Sequence, residues 1–210
     1  MQTDTIVTDE IERKQEEQEP ETVEEAKHQL QNRWTLWYFK GDGKSKNWED
    51  NLHNVITFDT VEDFWAVYNH VKPASQLVQG CDYMIFKEGI KPMWEDPRNK
   101  RGGRWLVSWE KKDRRDVADS LWEEALMLLI GEGVAESSDQ ICGAVVQIRP
   151  RGDKLAIWTA DVNKETEILQ IGNTFKDRLR DVRFPATLHY QSHVDVQSKA
   201  GSVSKAKYTI

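Results

Sequence analysis

Two kinds of apolar pattern alternate along this sequence, and their order limits the folds that the chain can adopt. Short segments rich in β-branched and aromatic residues predict about eight strands, and three longer segments carry apolar residues at helical spacing. The predicted helices lie between groups of strands instead of following every strand. This order predicts an α+β fold with an antiparallel sheet, helices on one face and the other face open.

The predicted elements can be bounded from their turn and cap residues. The first helix follows Thr60, which forms a capping box with Asp63 in place of the usual Glu. The second covers residues 117–130 and ends near two glycines, and the third begins at Asp161. The predicted strands cover residues 33–39, 55–58, 83–86, 90–93, 104–109, 142–148, 155–159 and 187–191.

The net charge of −7 comes from one end of the chain. Residues 1–28 contain ten acidic and three basic side chains and are rich in Glu and Gln, so we expect a disordered acidic tail there. Residues 29–210 are predicted to form a single domain, with a flexible loop near residues 196–207. Because this domain is neutral overall, the acidic total does not argue against an anionic ligand.

Several classes of protein are not expected from the remaining composition. The sequence has no apolar leader and no run of about 18 apolar residues, so neither secretion nor a membrane span is predicted. Cys81 and Cys142 lack the spacing of a metal site and are expected to be buried thiols in a reducing compartment. We expect a monomer without metal or cofactor that is not an enzyme. A cytoplasmic location is expected, and nuclear entry stays open.

The segment IKPMWEDPRNKRGGRW, residues 90–105, is the strongest indication of a binding site. Nine tryptophans occur in the chain, and most of them must belong to the core. Trp94, however, is followed at once by Glu95 and Asp96 and then by a basic run, an order that does not suit a core strand. It suits a site that stacks on a flat cation, accepts hydrogen bonds from its edge and holds an anionic tail.

Five segments in this order resemble the eukaryotic translation initiation factor 4E family, whose members bind the 7-methylguanosine cap of mRNA. They are LQNRWTLWYFK, FDTVEDFWAVYNH, GIKPMWEDPRNKRGGRW, ICGAVVQIRPRGDKLAIWT and YQSH. The resemblance implies a curved antiparallel sheet of eight strands with three longer helices on the convex face and the cap pocket on the concave side. It also implies that the chain recruits capped mRNA to the translation initiation complex through a scaffold subunit.

The resemblance implies a role for each matching residue that faces the base of the cap. Trp48 and Trp94 would stack on the two faces of the methylated guanine, where cation–π attraction favours the charged base. Glu95 would accept hydrogen bonds from the guanine edge. Trp158 would lie beside the added methyl group. For Trp48 and Trp94, the alternative from the residues alone is an ordinary place in the core.

The triphosphate of the cap would need cations, and the resemblance implies four of them. A lone Arg or Lys is more often a solvated surface charge, but these cluster near the tryptophan-bearing segments. Lys199 would reach the nucleotides that follow the cap. The implied phosphate-binding residues are Arg104, Arg149, Arg151 and Lys154, with Arg151 matching least well.

A second surface, on the convex side, is implied for a partner helix that contains Y-x-x-x-x-L and a following apolar residue. Such a helix occurs in the initiation scaffold subunit and in repressors that compete with it. Glu123 departs from the family because this position is usually apolar, and Gln29 departs because it is usually proline. The matching residues are His28, Leu30, Val61, Trp65, Glu124 and Met127.

Two alternative functions stay open. The departures at Glu123 and Gln29 would suit a cap-binding repressor, or a specialised paralogue, that binds the scaffold weakly. A hydrolase that acts on caps or nucleotides is a further class. Such chemistry usually needs clustered carboxylates around a divalent metal, and the sequence contains no such cluster.

Overall fold

The protein is described here by a computed structural model that covers residues 26–41, 47–182, 184–198 and 206–210. Most of the predicted acidic tail, up to residue 25, lies outside the described residues, and so does Lys199. Among the described residues, no helix is both long and apolar enough to cross a membrane.

Eight strands of the described chain form one antiparallel sheet, which confirms the predicted α+β fold. The sheet is curved, its three longer helices lie on the convex face, and its order is β2-β1-β3-β5-β6-β4-β7-β8. The strands are β1 (Gln29–Lys40), β2 (Leu52–Thr60), β3 (Cys81–Lys87), β4 (Gly103–Trp109), β5 (Ile141–Gln147), β6 (Asp153–Thr159), β7 (His189–Ser192) and β8 (Tyr208–Thr209).

The three predicted helices are present as α1 (Val61–His70), α2 (Arg114–Ile130) and α3 (Glu165–Arg178), and a short α4 (His193–Ser198) follows β7. The predicted cap of α1 is confirmed, because the amide of Asp63 donates to Oγ1 of Thr60 at 3.1 Å. The start predicted for α3 was early. Asp161 instead accepts a hydrogen bond from the amide of Asn163 at 3.0 Å, which forms a turn before the helix.

Side chains from the two faces of the sheet belong to two separate apolar clusters. One face carries Trp34, Leu36 and Trp105 and packs against α1, α2 and α3. The opposite face carries Phe39, Met84 and other residues, and no side chain of those three helices belongs to its cluster. Because neighbouring residues of a strand point to opposite faces, one set of strands supplies both clusters. The opposite face, which carries none of α1, α2 and α3 and is called the helix-free face below, is therefore available for a ligand.

The prediction of a strand at residues 90–93 is wrong. This segment is a turn whose backbone groups are satisfied by side chains instead of a neighbouring strand. The amide of Lys91 donates to the Asp96 carboxylate at 2.9 Å, and the side-chain amide of Asn99 donates to the carbonyls of Lys91 and Met93, both at 2.8 Å. The eighth strand is β8, in the C-terminal region for which the sequence predicted no strand.

Candidate functional site

A cavity of about 520 Å³ opens on the helix-free face of the sheet. This volume falls in the range typical of small-molecule sites. The lining combines three indole rings with carboxylates and two guanidinium groups. The lining residues are Asn47, Trp48, Glu49, Asp82, Met84, Pro92, Met93, Trp94, Glu95, Arg104, Val145, Gln147, Arg149, Ala156 and Trp158.

Trp48 stands at one rim of the cavity, where a short 3-10 turn, Trp48–Asn51, leads into β2. Its ring stacks on Phe39 of β1, with centroids 5.3 Å apart and an angle of 19° between the planes. The side chain nevertheless stays 38% exposed, which is unusual for so large an apolar group. Phe39 thus supports one face of the indole, and much of the remaining ring surface is accessible.

Trp94 and Glu95 belong to the loop between β3 and β4. Asp96 and Asn99 are buried in this loop and fix its backbone through the hydrogen bonds described above. The Trp94 ring lies nearly parallel to His193, with centroids 6.4 Å apart and an angle of 19°. Glu95 is exposed, and its carboxylate has no hydrogen-bond partner among the described residues. A loop that is rigid at its base therefore carries an indole and an unpaired acceptor.

Trp158 of β6 is buried at the cavity and contacts two other rings. It meets Phe86 edge to face, with centroids 5.5 Å apart, and it lies 4.2 Å from the ring of His193. The indole N–H and both ring nitrogens of His193 have no hydrogen-bond partner within the described chain. Burial, followed by the positive charge of Arg104, lowers the pKa of His193 to about 3. His193 is therefore a neutral ring that fills the space between Trp94 and Trp158.

Arg149 is held on the cavity wall by two hydrogen bonds to the carboxylate of Asp82. Nη2 donates to Oδ2 at 2.8 Å, and Nη1 donates to Oδ1. The side-chain amide of Gln147 also donates to Oδ2 of Asp82, at 3.0 Å. Burial raises the pKa of Asp82, while the bonds from Arg149 and Gln147 act in the opposite direction. This fork-shaped pairing fixes the guanidinium plane and leaves Arg149 partly exposed to the cavity.

Arg104 and Lys154 add positive charge next to Arg149. The guanidinium of Arg104 donates to the side-chain oxygen of Gln191 at 3.3 Å, its Nε has no partner among the described residues, and burial lowers its pKa. Lys154 is an exposed residue of β6. Partial burial of its amine, with the charges of Arg104 and Arg149, lowers its pKa. The charges of Arg104 and Arg149 thus disfavour the charged form of Lys154, and an anion bound near these groups would offset this effect.

The sequence-predicted residues fall into three groups. Trp48, Trp94, Glu95, Trp158, Arg104 and Arg149 all line the cavity. Lys154 and Arg151 do not line it, and Arg151 is exposed in the turn between β5 and β6. Lys199 lies outside the described residues.

Sequence reasoning missed three residues that support the cavity: Phe39, Asp82 and His193. Phe39 lies in the aromatic end of β1 and resembles a core position, and Asp82 lies near the start of the mostly apolar strand β3. His193 belongs to the segment YQSH, which was recognised only as part of the resemblance. An acidic residue inside the mostly apolar strand CDYMIFK was the one signal that could have revealed Asp82.

The surface predicted for a partner helix lies on the helical side of the sheet. Val61 and Trp65 occupy one face of α1, and each is 37% exposed. Trp65 meets Tyr68 edge to face, with centroids 5.6 Å apart. Leu30 and Met127 are partly buried and pack against the main core. The remaining predicted residues, His28 and Glu124, take part in polar pairs with Glu62 and Arg178.

The cavity can therefore bind a flat ring and an attached anion. Its indoles offer apolar ring surface, Glu95 offers an acceptor, and Arg104 and Arg149 offer donors and positive charge. Within the described ranges, no group of three or more His, Cys, Asp or Glu side chains could hold a metal ion.

Comparison with known proteins identifies a single family. The family model described as Eukaryotic initiation factor 4E matches residues 29–208. Eukaryotic translation initiation factor 4E-1A of Danio rerio is 52% identical over 202 residues, which span 95% of this chain and 93% of the relative. Eukaryotic translation initiation factor 4E of Homo sapiens is 50% identical over 184 residues, 88% of this chain and 84% of the relative.

Solved structures agree with this result. The structure of Ascaris suum eIF4E-3 with an m2,2,7G cap superposes with a TM-score of 0.80 at 47% identity, and covers 88% of this chain and 99% of that one. The complex of Caenorhabditis elegans eIF4E-3 with the 4E-binding protein Mextli and a cap analogue gives a TM-score of 0.79 at 45% identity, with 88% and 100% covered.

Proposed function

Because this chain belongs to the eukaryotic initiation factor 4E family, we propose that it binds the 7-methylguanosine cap of mRNA and recruits capped mRNA to the translation initiation complex through a scaffold subunit. The observation that carries this proposal is the composition of the cavity on the helix-free face. Trp48, Trp94 and Glu95 line it together with Arg104 and Arg149. Solved relatives were captured with cap ligands, among them the Ascaris suum and Caenorhabditis elegans proteins.

Recognition of the base depends on its charge. Methylation makes the guanine ring a flat cation, and each indole stacked on it contributes roughly 0.5–2 kcal/mol of cation–π attraction. Glu95 then accepts hydrogen bonds from the two N–H donors of the guanine edge, which the positive charge strengthens. The carboxylate is suited to this role because it is exposed and unpaired within the described chain. Unmethylated guanine lacks the charge and would bind more weakly.

Recognition of the triphosphate depends on the cations beside the base site. Arg149, fixed by Asp82, and Arg104 present guanidinium groups to the cavity, and Lys154 lies close enough for their charges to lower its pKa. Binding of a triphosphate would remove this mutual repulsion. We propose that the chain binds the cap without hydrolysing it, since its cavity offers stacking surfaces and anion-binding groups.

The test is a parallel fluorescence titration with 7-methyl-GTP and GTP. Indole quenching should occur at a concentration about fivefold to several hundredfold lower for the methylated ligand, since two cation–π contacts worth roughly 1–4 kcal/mol together are lost with GTP. Trp94→Ala and Glu95→Ala should each abolish retention on a 7-methyl-GTP resin while the far-UV circular dichroism is unchanged. Trp65→Ala is the matched control, because this indole is as large as that of Trp94, is exposed and lies on the helical side. Equal affinity for both nucleotides would contradict the proposal.

Scaffold binding is assigned to the surface of Val61 and Trp65, where two large apolar side chains are exposed on one face of α1. The charge of Glu123 favours the repressor as the alternative function. Glu123 brings a carboxylate to this surface, where its Oε2 lies 3.4 Å from the hydroxyl of Tyr68. Affinity for a Y-x-x-x-x-L peptide separates the two functions. Micromolar or tighter binding that is lost in Trp65→Ala supports the initiating function, and its absence beside intact cap binding supports the repressor.

A further inference from the structure

Glu123 of α2 differs from the other acidic residues around the exposed apolar surface formed by Val61, Trp65 and Tyr68. Three of the others form ion pairs within the described chain. These pairs are Lys27 with Asp63 at 2.7 Å, His28 with Glu62 at 2.7 Å and Arg178 with Glu124 at 3.6 Å. Glu123 is exposed and has no cationic partner in the part of the chain that the structure describes.

The position of Glu123 ties it to the apolar surface. Its carboxylate accepts a hydrogen bond from the hydroxyl of Tyr68 at 3.4 Å, and Tyr68 contacts the Trp65 ring at 5.6 Å. Burial, followed by the negative charges of Glu123 and Asp119, raises the pKa of Tyr68 to about 12. The carboxylates of Glu123 and Asp119 therefore bring negative charge close to the Tyr68 hydroxyl. A ligand that covers Trp65 would also approach the Glu123 carboxylate.

Covering a carboxylate is unfavourable unless a cation accompanies it. An apolar side chain placed against Glu123 would remove water from the carboxylate without providing a hydrogen bond or an opposite charge in its place. A lysine or arginine would replace that water with a charged hydrogen bond, and charge complementarity of this kind is a common source of specificity. Because Glu123 has no cationic partner in the described chain, such a charge can come from a partner helix.

We propose that Glu123 determines partner specificity at this surface: it selects partner helices that place a lysine or arginine against its carboxylate, and it disfavours helices that place an apolar residue there. The inference rests on the proposed scaffold-binding function and names the chemistry of the partner. A chain with an apolar residue at position 123 would accept partner helices that place an apolar residue there. Compared with such a chain, this chain would bind a narrower set of helices.

The probe is a fluorescent peptide that contains Tyr-Ala-Ala-Ala-Ala-Leu-Leu. Its length of about fifteen residues is enough for a marginally stable helix. Lysine replaces each of the four alanines and the final leucine in turn. Binding of every peptide is measured by anisotropy for the full chain and for Glu123→Gln, Glu123→Leu and Asp116→Asn. Asp116 is the matched control because it is an exposed acid two turns earlier on the same face of α2.

We expect lysine at one position to improve binding by at least about fivefold, a gain that Glu123→Gln removes and Asp116→Asn retains. Glu123→Leu should instead favour the peptide with the final leucine. The proposal is overturned if no position shows this coupling, or if Asp116→Asn removes the gain equally, since the effect would then be general attraction. If the reference peptide binds but no coupling occurs, this inference alone fails. If no peptide binds any variant while 7-methyl-GTP still binds, the scaffold-binding function fails with it.

Discussion

Asp82 of β3 and Arg149, which follows β5, form a two-bonded ion pair across the wall of the cavity, although 67 positions separate them in the chain. Asp82 is buried, whereas about a third of the Arg149 side chain stays exposed to the cavity. The acid therefore orients the guanidinium, and the other edge of that group is free to meet a ligand. A buried acid thus determines how well a phosphate-binding group is aligned.

Asp82→Asn is expected to weaken binding of 7-methyl-GTP by about tenfold, because Arg149 loses one charged hydrogen bond and its fixed orientation. The loss of a negative charge would by itself favour the triphosphate, so the result also decides which effect is larger. Affinity for 7-methylguanosine, which lacks phosphates, should hardly change. Asp59→Asn, which removes an equal charge on β2, should leave both affinities unchanged. Equal losses for both ligands would show that Asp82 acts on the fold and not on Arg149.

Phe39→Leu is expected to reduce the affinity for 7-methyl-GTP by roughly three- to tenfold, the value of one stacked aromatic pair. Phe39 supports the Trp48 ring at 5.3 Å, so its removal lets an exposed indole leave the orientation that stacking requires. Isothermal titration calorimetry gives the affinity independently of indole fluorescence. Phe58→Leu is the control, because Phe58 is equally buried but packs on the helical side with Phe64. Comparable losses in both variants would argue against a specific role for Phe39.

The strands and helices of this fold could be predicted because they depend on local patterns. The capping residue Thr60 and the apolar periodicity after it locate α1 from sequence alone. The segment at residues 90–93 could not be predicted, because its conformation depends on Asp96 and Asn99, whose side chains replace a neighbouring strand. Apolar spacing carries no information about such side-chain bonds.

In the candidate site, too, residues that stand out in the local sequence could be predicted, and residues that depend on distant partners could not. Trp94 and Glu95 were predicted because they are adjacent and break the pattern of a core strand. Asp82 and His193 were missed because their partners are distant in sequence: Asp82 pairs with Arg149, and His193 lies between two rings that come from a loop and from β6. Long-range packing of this kind is set by the order of strands in the sheet, which short motifs do not specify.

Acid should destabilise the fold through His193 before most carboxylates titrate. Its pKa is about 3 in the folded state and about 6.5 when unfolded, so the unfolded chain binds the additional proton between these values. The free energy of unfolding is therefore expected to fall by up to about 1.4 kcal/mol for each pH unit below 6.5. This contribution is present in full above pH 6.5.

Urea unfolding between pH 6.5 and pH 5 measures this slope. His193→Gln should flatten it, whatever the variant does to stability at neutral pH, because glutamine cannot take up the proton. His53→Gln should keep the wild-type slope, since His53 is exposed on β2. An unchanged slope in His193→Gln would mean that the ring accepts a proton in the folded protein, against the burial and the nearby Arg104 charge described here.

Gly172→Ala should destabilise the protein even though it improves the helix propensity of α3. A methyl group at Gly172 would lie 2.4 Å from Cε2 and Cζ2 of Trp105. Trp105 cannot move away easily, because it is fully buried and its indole N–H donates to the carbonyl of Ile168 at 2.8 Å. Overpacking of this kind costs about 1–3 kcal/mol, and the gain of alanine over glycine in a helix is about 1 kcal/mol.

The two effects leave a net loss of up to about 2 kcal/mol in the free energy of unfolding, measured by urea denaturation at neutral pH. Asn173→Ala, at the next and exposed position of α3, isolates the propensity effect and should stabilise the helix by a few tenths of a kcal/mol. Cap affinity should be preserved in both variants, because Trp105 belongs to the helical face and not to the cavity. A Gly172→Ala protein as stable as the wild type would show that the sheet and α3 can separate at this contact without loss.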